Sequence, residues 1–373
     1  MIPRILTQTV VNRVKSGFIN IIYGPRRVGK TILLKQIADK IKLPGVWFDG
    51  DHQETRNALS NTSLVVLSKL VNHSDAVFID EAQRIPNIGL ALKILIDAFP
   101  NKKIFVTGSS SLRLSQGIQD SLTGRNLTYR LFPLSTKELA GDLQDFQKSS
   151  LLQEQLRFGG YPYLQTVNNQ TEKREYLKSM TEDYLFKDVV MLKDISQPDN
   201  LRKLATLLAF QIGSEVSYNE LASNLNIDVK TVIRYLDLLK LSFVIFEIGS
   251  FSKNLRKEIA KSKKYYFWDL GIRNALIDQF HELTVRRDTG SLWENFLAVE
   301  RLKKHEYSGK SVRYYFWRTY DQAEIDWIEV EEGNLTAFEF KFKKANNKTP
   351  KKFLETYKKE SKTITKENYL TFL

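Results

Sequence analysis

Apolar residues along this chain follow two rhythms, and the switching between them predicts the architecture. Short unbroken apolar runs near Phe18–Tyr23, at Val46-Trp47-Phe48, over Ala76–Ile79 and over Lys103–Thr107 have the length and β-branched character of strands buried on both faces. Between them, apolar positions recur at helical spacing over Ile32–Ile37, residues 53–72 and Ile88–Ala98. Residues 1–17 read as a short helical lead-in. A short helix after Ser111 and a strand over Leu127–Leu131 complete the series. Strands alternating with helices predict a parallel sheet covered on both faces, filling residues 1–134.

Past residue 134 the pattern changes. Residues 135–198 read as helices interrupted by the tight turn Phe158-Gly159-Gly160-Tyr161-Pro162. Leu201–Phe210 is amphipathic, Tyr218–Leu225 is a second helix, and after the turn Asn226-Ile227-Asp228 comes Val229–Leu239. Its apolar residues 229, 232, 233, 236 and 239 fall on one face, with Lys230, Thr231 and Arg234 on the other. Two helices, a short turn and a polar-faced second helix make a helix-turn-helix candidate for DNA contact. The apolar run Phe243–Ile248, the basic stretch 253–264 and Tyr265–Trp268 suit a winged hairpin whose positive tip contacts phosphates rather than bases. This places a winged-helix unit over 199–285. Residues 286–373 form a last unit: a helix from Ser291, a strand at Tyr314–Arg318, an alternating strand at Ala323–Val330, a turn at 331–334, and a strand over Leu335–Lys341.

Composition narrows the chemistry. The 373 residues contain no cysteine, which excludes disulfides and thiolate metal sites. The four histidines stand at no ligand spacing from one another, and no apolar run approaches a membrane span. The expectation is a soluble, cytoplasmic protein without a membrane partner. The net charge of +13 is concentrated. Residues 253–264 hold six Lys/Arg against one Glu, and residues 341–373 hold ten Lys against three Glu. Such blocks point to a polyanionic partner, most simply DNA, with a solvated lysine-rich surface as the alternative.

The densest chemistry lies where the first strand ends. Gly24-Pro25-Arg26-Arg27-Val28-Gly29-Lys30-Thr31, followed by Ile32, spells a phosphate loop between strand and helix. Glycines let successive N–H groups point into one concavity, and the helix end adds its positive dipole. Lys30 reaches the outer phosphates and the Thr31 hydroxyl is a Mg²⁺ ligand. The Ala76–Ile79 run ends in Asp80-Glu81: Asp80 would hold Mg²⁺ and Glu81 would take a proton from the attacking water. At the tip of the Lys103–Thr107 strand, Ser109, with Thr107 next, is the candidate to orient that water; strand-end capping is the plainer reading. Arg125 is a candidate to stabilise transition-state charge on a neighbouring subunit's nucleotide. In the last unit Glu339 and Lys341 share a strand face, and a hairpin brings Asp326 toward them. Two carboxylates with a lysine could hold a divalent metal and orient water.

Taken in order, the phosphate loop, Phe78–Gln83, Val106–Ser110, Gly124-Arg125 and Phe132–Ser135 resemble the AAA_14/DUF4143 family of P-loop ATPases, grouped with AAA+ proteins. The resemblance covers nearly the whole chain. It implies an α/β P-loop NTPase sheet with a helical lid over 135–198, followed by the winged helix and an α/β domain similar to PD-(D/E)xK nucleases. There Glu294 would be the helical carboxylate, Asp326 the first strand acid and Glu339-Phe340-Lys341 the E-x-K. It implies ATP and Mg²⁺ as cofactors and a homo-oligomer, with a hexameric ring among the arrangements allowed. The function expected is ATP hydrolysis driving work on duplex or branched DNA. The alternatives are a nucleotide-switched signalling or defence ATPase regulating a protein partner, and an ATP-gated nuclease.

Overall fold

The computed structural model describes residues 2–108, 122, 124–141, 143–182, 197–252, 263–343 and 348–373. They divide into two compact units, 1–134 and 135–373.

In the first unit, β1 (Ile19–Tyr23), β2 (Gly45–Asp49), β3 (Ala76–Asp80), β4 (Lys103–Gly108) and β5 (Asn126–Arg130) form one sheet in the order β2-β3-β4-β1-β5. All its pairings are parallel. The apolar runs that predicted β3 and β4 are buried almost throughout. The helix Ile88–Ala98 puts Leu92, Leu95 and Ile96 into the same core as Val77, Ile79, Ile104 and Val106. On the other side of these strands Trp47, Phe78 and Phe105 stack in sequence, with ring centroids 4.3 and 5.3 Å apart. Each fully buried side chain among these, Phe78 and Phe105 included, contributes about 1.5–3 kcal/mol, which makes the sheet a stiff base for the loops at its carboxyl edge. The expectation of one helix over 53–72 is corrected. Two helices, Gln53–Ser60 and Leu64–Val71, are separated where Asn61 turns extended and its side chain accepts the Ser63 N–H at 2.9 Å.

In the second unit, β6 (Glu215–Val216), β7 (Ile245–Ser250), β8 (Lys263–Phe267), β9 (Arg313–Arg318), β10 (Glu324–Glu331), β11 (Asn334–Phe340) and β12 (Ser361–Ile364) form one sheet. Its order is β12-β11-β10-β9-β7-β8-β6. The β7–β8 hairpin expected of a wing therefore continues into the C-terminal strands, through parallel pairing of Gly249 and Ser250 with Tyr315 and Phe316. The helices Thr136–Ala140, Asp145–Phe158 and Gln170–Glu182 belong to this unit too. At their turn, Gly159 has φ 77°, and a Cβ there would lie 2.0 Å from Asp269 Oδ1. Asp269 in turn accepts the N–H groups of Gly160 at 2.8 Å and Gly271 at 2.8 Å. Asn274 donates to the carbonyls of Leu156 and Arg157, Arg157 Nε donates to the carbonyl of Phe280 at 3.0 Å, and Glu300 accepts the Thr136 N–H at 2.6 Å. These buried bonds tie the 135–182 helices to the remainder of the unit.

Two sequence expectations change here. Ile233, assigned to the apolar face of Val229–Leu241, is 41% exposed; the buried face runs through Val232, Tyr235, Leu236, Leu238 and Leu239. Strand β10, expected to alternate, is buried at all six interior positions. It sits between β9 and β11 and is covered on both sides, with Trp327 against Tyr314 and with Ile325 and Ile328 in a cluster with Phe353. Among the described residues no helix is long and apolar enough to cross a membrane.

Candidate functional site

The phosphate loop leaves β1 where two backbones nearly touch. A Cβ on Gly24 would lie 2.1 Å from the carbonyl oxygen of Leu131, so glycine is required there by packing as well as by the loop's turn. Gly29, at φ 91°, starts the helix Lys30–Ile41, which buries Leu33, Leu34 and Ile37. Arg26 and Arg27 are exposed, Val28 is buried, and Arg27 adopts a left-handed φ of 60°. The buried Lys30 donates through Nζ to the carbonyls of Gly24 at 3.2 Å and Pro25 at 2.9 Å, so its ammonium lies folded over the loop.

Beside the loop, at the ends of β3 and β4, the predicted residues meet. Thr31 Oγ1 donates to Asp80 Oδ2 at 2.5 Å. The other oxygen, Oδ1, accepts from the Thr107 hydroxyl. The backbone N–H of Glu81 points to Thr107 Oγ1 at 3.2 Å and to Asp80 Oδ1 at 3.1 Å. Glu81 itself holds a left-handed backbone, φ 47° and ψ 40°, uncommon for a non-glycine residue and a form of strain found at functional sites. Its side chain accepts from Gln83 Nε2 at 2.5 Å. A hydroxyl and a carboxylate brought together from positions 31 and 80 are hard oxygen donors of the type Mg²⁺ takes, so the residues fit that ion.

Other predicted residues are placed less centrally. Arg125 pairs with Asp97 of the same unit, and both side chains are about half exposed. Ser109 lies outside the described residues, as do the short helix after Ser111 and residues 253–262 of the basic stretch. The two lysines of that stretch that are described turn inward or pair locally. Lys263 bonds Glu247 at 2.6 Å, and Lys264 is only 2% exposed. On Val229–Leu241, Lys230 and Arg234 are exposed, whereas the Thr231 hydroxyl donates at 2.6 Å to Asp228 Oδ2, on the side chain that caps this helix by accepting the Thr231 N–H.

In the second unit the E-x-K and the strand acid come together. Lys341 Nζ lies 3.3 Å from Glu339 Oε2 and 3.6 Å from Asp326 Oδ2, and Asp326 Oδ2 also accepts the Phe340 N–H at 2.7 Å. Burial, with the Asp326 charge adding, pushes the Glu339 carboxyl up to about 8. Glu294 stands on the helix Thr289–Ser308 and is bound differently: its Oε1 accepts from Lys264 Nζ at 3.0 Å and from Tyr266 OH at 2.6 Å. Burial also raises the Glu294 carboxyl above its ordinary value.

Three residues at these sites were not foreseen. Arg4 is buried and donates to the carbonyls of Val28 at 2.6 Å and Phe132 at 2.7 Å, bracing the phosphate loop from the lead-in segment. Gln36 accepts from the Arg4 N–H and the Thr7 hydroxyl, docking that segment on the loop's helix. By sequence Lys264 belongs to the basic stretch 253–264. The one signal it carried is its place directly before the apolar run Tyr265–Trp268.

Comparison with known proteins adds family matches over most of the chain. Residues 16–140 match AAA_14, an AAA domain, and residues 289–371 match DUF4143, a domain of unknown function. Residues 149–283 match a further domain of unknown function, DUF8612. The uncharacterized protein MJ1544 of Methanocaldococcus jannaschii is 26% identical over 372 residues, covering 94% of this chain and 80% of that protein. The uncharacterized protein Rv2008c of Mycobacterium tuberculosis is 28% identical over 325 residues, covering 86% and 69%. Among solved structures, AMPPCP-bound DnaA from Aquifex aeolicus matches with a TM-score of 0.31 at 17% identity, over 63% of this chain and 86% of that one. The RuvB Holliday junction branch migration motor of Thermotoga maritima matches at 0.30 and 19%, over 65% and 85%.

Proposed function

We propose that this chain, an AAA_14/DUF4143 P-loop ATPase, hydrolyses Mg²⁺-bound ATP in residues 1–134 and uses the cycle to act on DNA held by residues 135–373. The observation that carries the hydrolytic half is the closure of Thr31, Asp80, Thr107 and the Glu81 N–H into one bonded set beside the loop. The loop Gly24–Ile32 binds the phosphates. Lys30, on a side chain that reaches back over the loop, exchanges its carbonyl partners for phosphate oxygens. Thr31 and Asp80 would hold Mg²⁺, which when bound neutralises charge on the phosphates. Thr107 fixes one Asp80 oxygen so that the other faces Thr31. Glu81 takes the proton from the attacking water, and Ser109 orients that water. Arg125 answers the charge developing on a neighbouring subunit's nucleotide, in a ring that six copies could close.

The working half rests on what the second unit contains. Residues 135–198 act as the lid, 199–285 as a winged helix and 286–373 as a nuclease-like α/β domain. Because Asp269, Asn274 and Glu300 bond the lid helices to the other two segments, movement of the lid carries the described parts of those segments with it. Lys230 and Arg234, exposed on the second helix of the helix-turn-helix, contact DNA phosphates, as do the lysine-rich blocks. The test is steady-state ATP turnover against single-stranded, duplex and four-way-junction DNA. Turnover rises with at least one form at low salt, and the rise fades as salt increases. No stimulation by any form at low salt defeats the reading.

A further inference from the structure

The resemblance to metal-dependent nucleases calls for a divalent ion held by Glu294, Asp326 and Glu339, and the donor set does not fit one. An ammonium already faces each acid. Glu294 Oε1 receives Lys264 Nζ and Tyr266 OH, Asp326 Oδ2 receives the Phe340 N–H and faces Lys341, and Glu339 Oε2 faces Lys341. Among the described residues no group of three or more His, Asp or Glu side chains is arranged to hold a metal. The cation present instead is an ammonium. Lys264 Nζ, buried at 2% exposure, also lies 2.5 Å from Glu324 Oε1, and it sits 5.3 Å from the centroid of Phe316.

We propose that Lys264 is the resident cation of this centre: it holds Glu294 and Glu324 while Lys341 holds Asp326 and Glu339, so the acids are balanced without a divalent ion and the second unit is a metal-independent, non-cleaving body. The placement gives the lysine a mechanical role. It comes from β8, Glu294 from the helix Thr289–Ser308 and Glu324 from β10, so one ammonium joins three elements. The same helix is pinned to β8 by Asn295, whose amide pairs with both the N–H and the carbonyl of Phe267 at 2.7 and 2.8 Å. A buried ammonium without partners is strongly disfavoured, and so are buried carboxylates without a cation. Each therefore requires the other, or a substitute.

That requirement supplies the test, on the nucleotide-free full chain with Asp80→Asn introduced to silence the ATP site. Mn²⁺ binding is read by electron paramagnetic resonance and unfolding by thermal scans in EDTA or Mn²⁺. With Lys264 intact, no Asp326-dependent Mn²⁺ binding and no Mn²⁺-dependent rise in Tm is expected. With Lys264→Met added, Tm in EDTA falls by about 10 °C. Mn²⁺ then binds and restores at least half of that loss, and a further Asp326→Asn abolishes the restoration. If Lys264→Met does not fold in EDTA, it must fold when Mn²⁺ is supplied. Lys264→Met with Glu294→Gln and Glu324→Gln, which removes the charges together, must fold in EDTA and ignore Mn²⁺. Asp326-dependent Mn²⁺ binding in the protein that keeps Lys264 overturns the proposal. So does a Lys264→Met protein that Mn²⁺ neither binds nor rescues.

Discussion

The phosphate-loop site and the acid–lysine centre use similar residues to opposite ends. In the first, Asp80 is held by the hydroxyls of Thr31 and Thr107, and the Lys30 ammonium rests on the carbonyls of Gly24 and Pro25. Hydroxyls and carbonyls fix direction without cancelling a carboxylate's charge, so that arrangement suits an incoming metal and phosphate. In the second, lysines are bonded to the carboxylates themselves: Lys264 to Glu294 and Glu324, Lys341 to Glu339 and Asp326. Charge is balanced from within, by the lysines and, at Glu339, by burial that favours the protonated carboxyl. The lesson is that a carboxylate's neighbours, more than its presence, separate a site that waits for a ligand from one that holds a fold together. Changes at the first should alter turnover while sparing stability, and changes at the second should do the reverse.

The largest expected effect that could break this division lies away from both centres. Gly159→Ala puts a Cβ onto the Asp269 carboxylate at a left-handed φ, so it should cost the second unit about 3 kcal/mol and leave ATP binding intact. Calorimetry with a nucleotide-binding assay reads both. Loss of nucleotide affinity alongside would mean the units are not separable in this way. Next, Thr107→Val removes the hydroxyl that fixes Asp80 and the Glu81 N–H. Turnover should fall about ten- to a hundredfold with Tm nearly unchanged. A drop in Tm without a drop in turnover would reverse the assignment.

A subtler contrast comes from pH. Burial raises the Glu339 carboxyl to about 8, from an ordinary value of 4.5. The fold favours its protonated form, so its contribution is full below the ordinary value and lost as pH rises through the raised one. The second unit should therefore lose stability between about pH 5 and pH 8, and Glu339→Gln should flatten that slope. An unchanged slope in Glu339→Gln would place the titration elsewhere. The smallest effect belongs to Arg234→Ala, which should weaken DNA binding across all sequences and lower the salt slope by about 1. Sequence-selective loss would mean that Arg234 reads bases.

What the sequence made legible follows the range of the interactions. The phosphate loop, β1, β3 and β4 and the Asp80-Glu81 pair could be placed because each is specified by neighbouring residues and by burial on both faces. The meeting of Asp326, Glu339 and Lys341 was accessible too, since a hairpin and a two-residue strand period determine it. The break at Asn61 was missed because a side chain outcompeted helical bonding that the apolar spacing still allowed. Arg4, the pairing of β7 with β9 and the burial of Lys264 were hidden for another reason. Each depends on a partner far along the chain, and a lysine beside other lysines reads as surface until the opposing carboxylates are in place.

The division of labour is tested most directly by DNA affinity of nucleotide-free wild type and Lys30→Ala, followed by titration with ATP. Fluorescence anisotropy on a labelled duplex at low salt reads both steps. Lys30→Ala should bind the duplex as the wild type does and lose every ATP-dependent change in that binding. Loss of DNA binding by Lys30→Ala before any nucleotide is added would contradict the account.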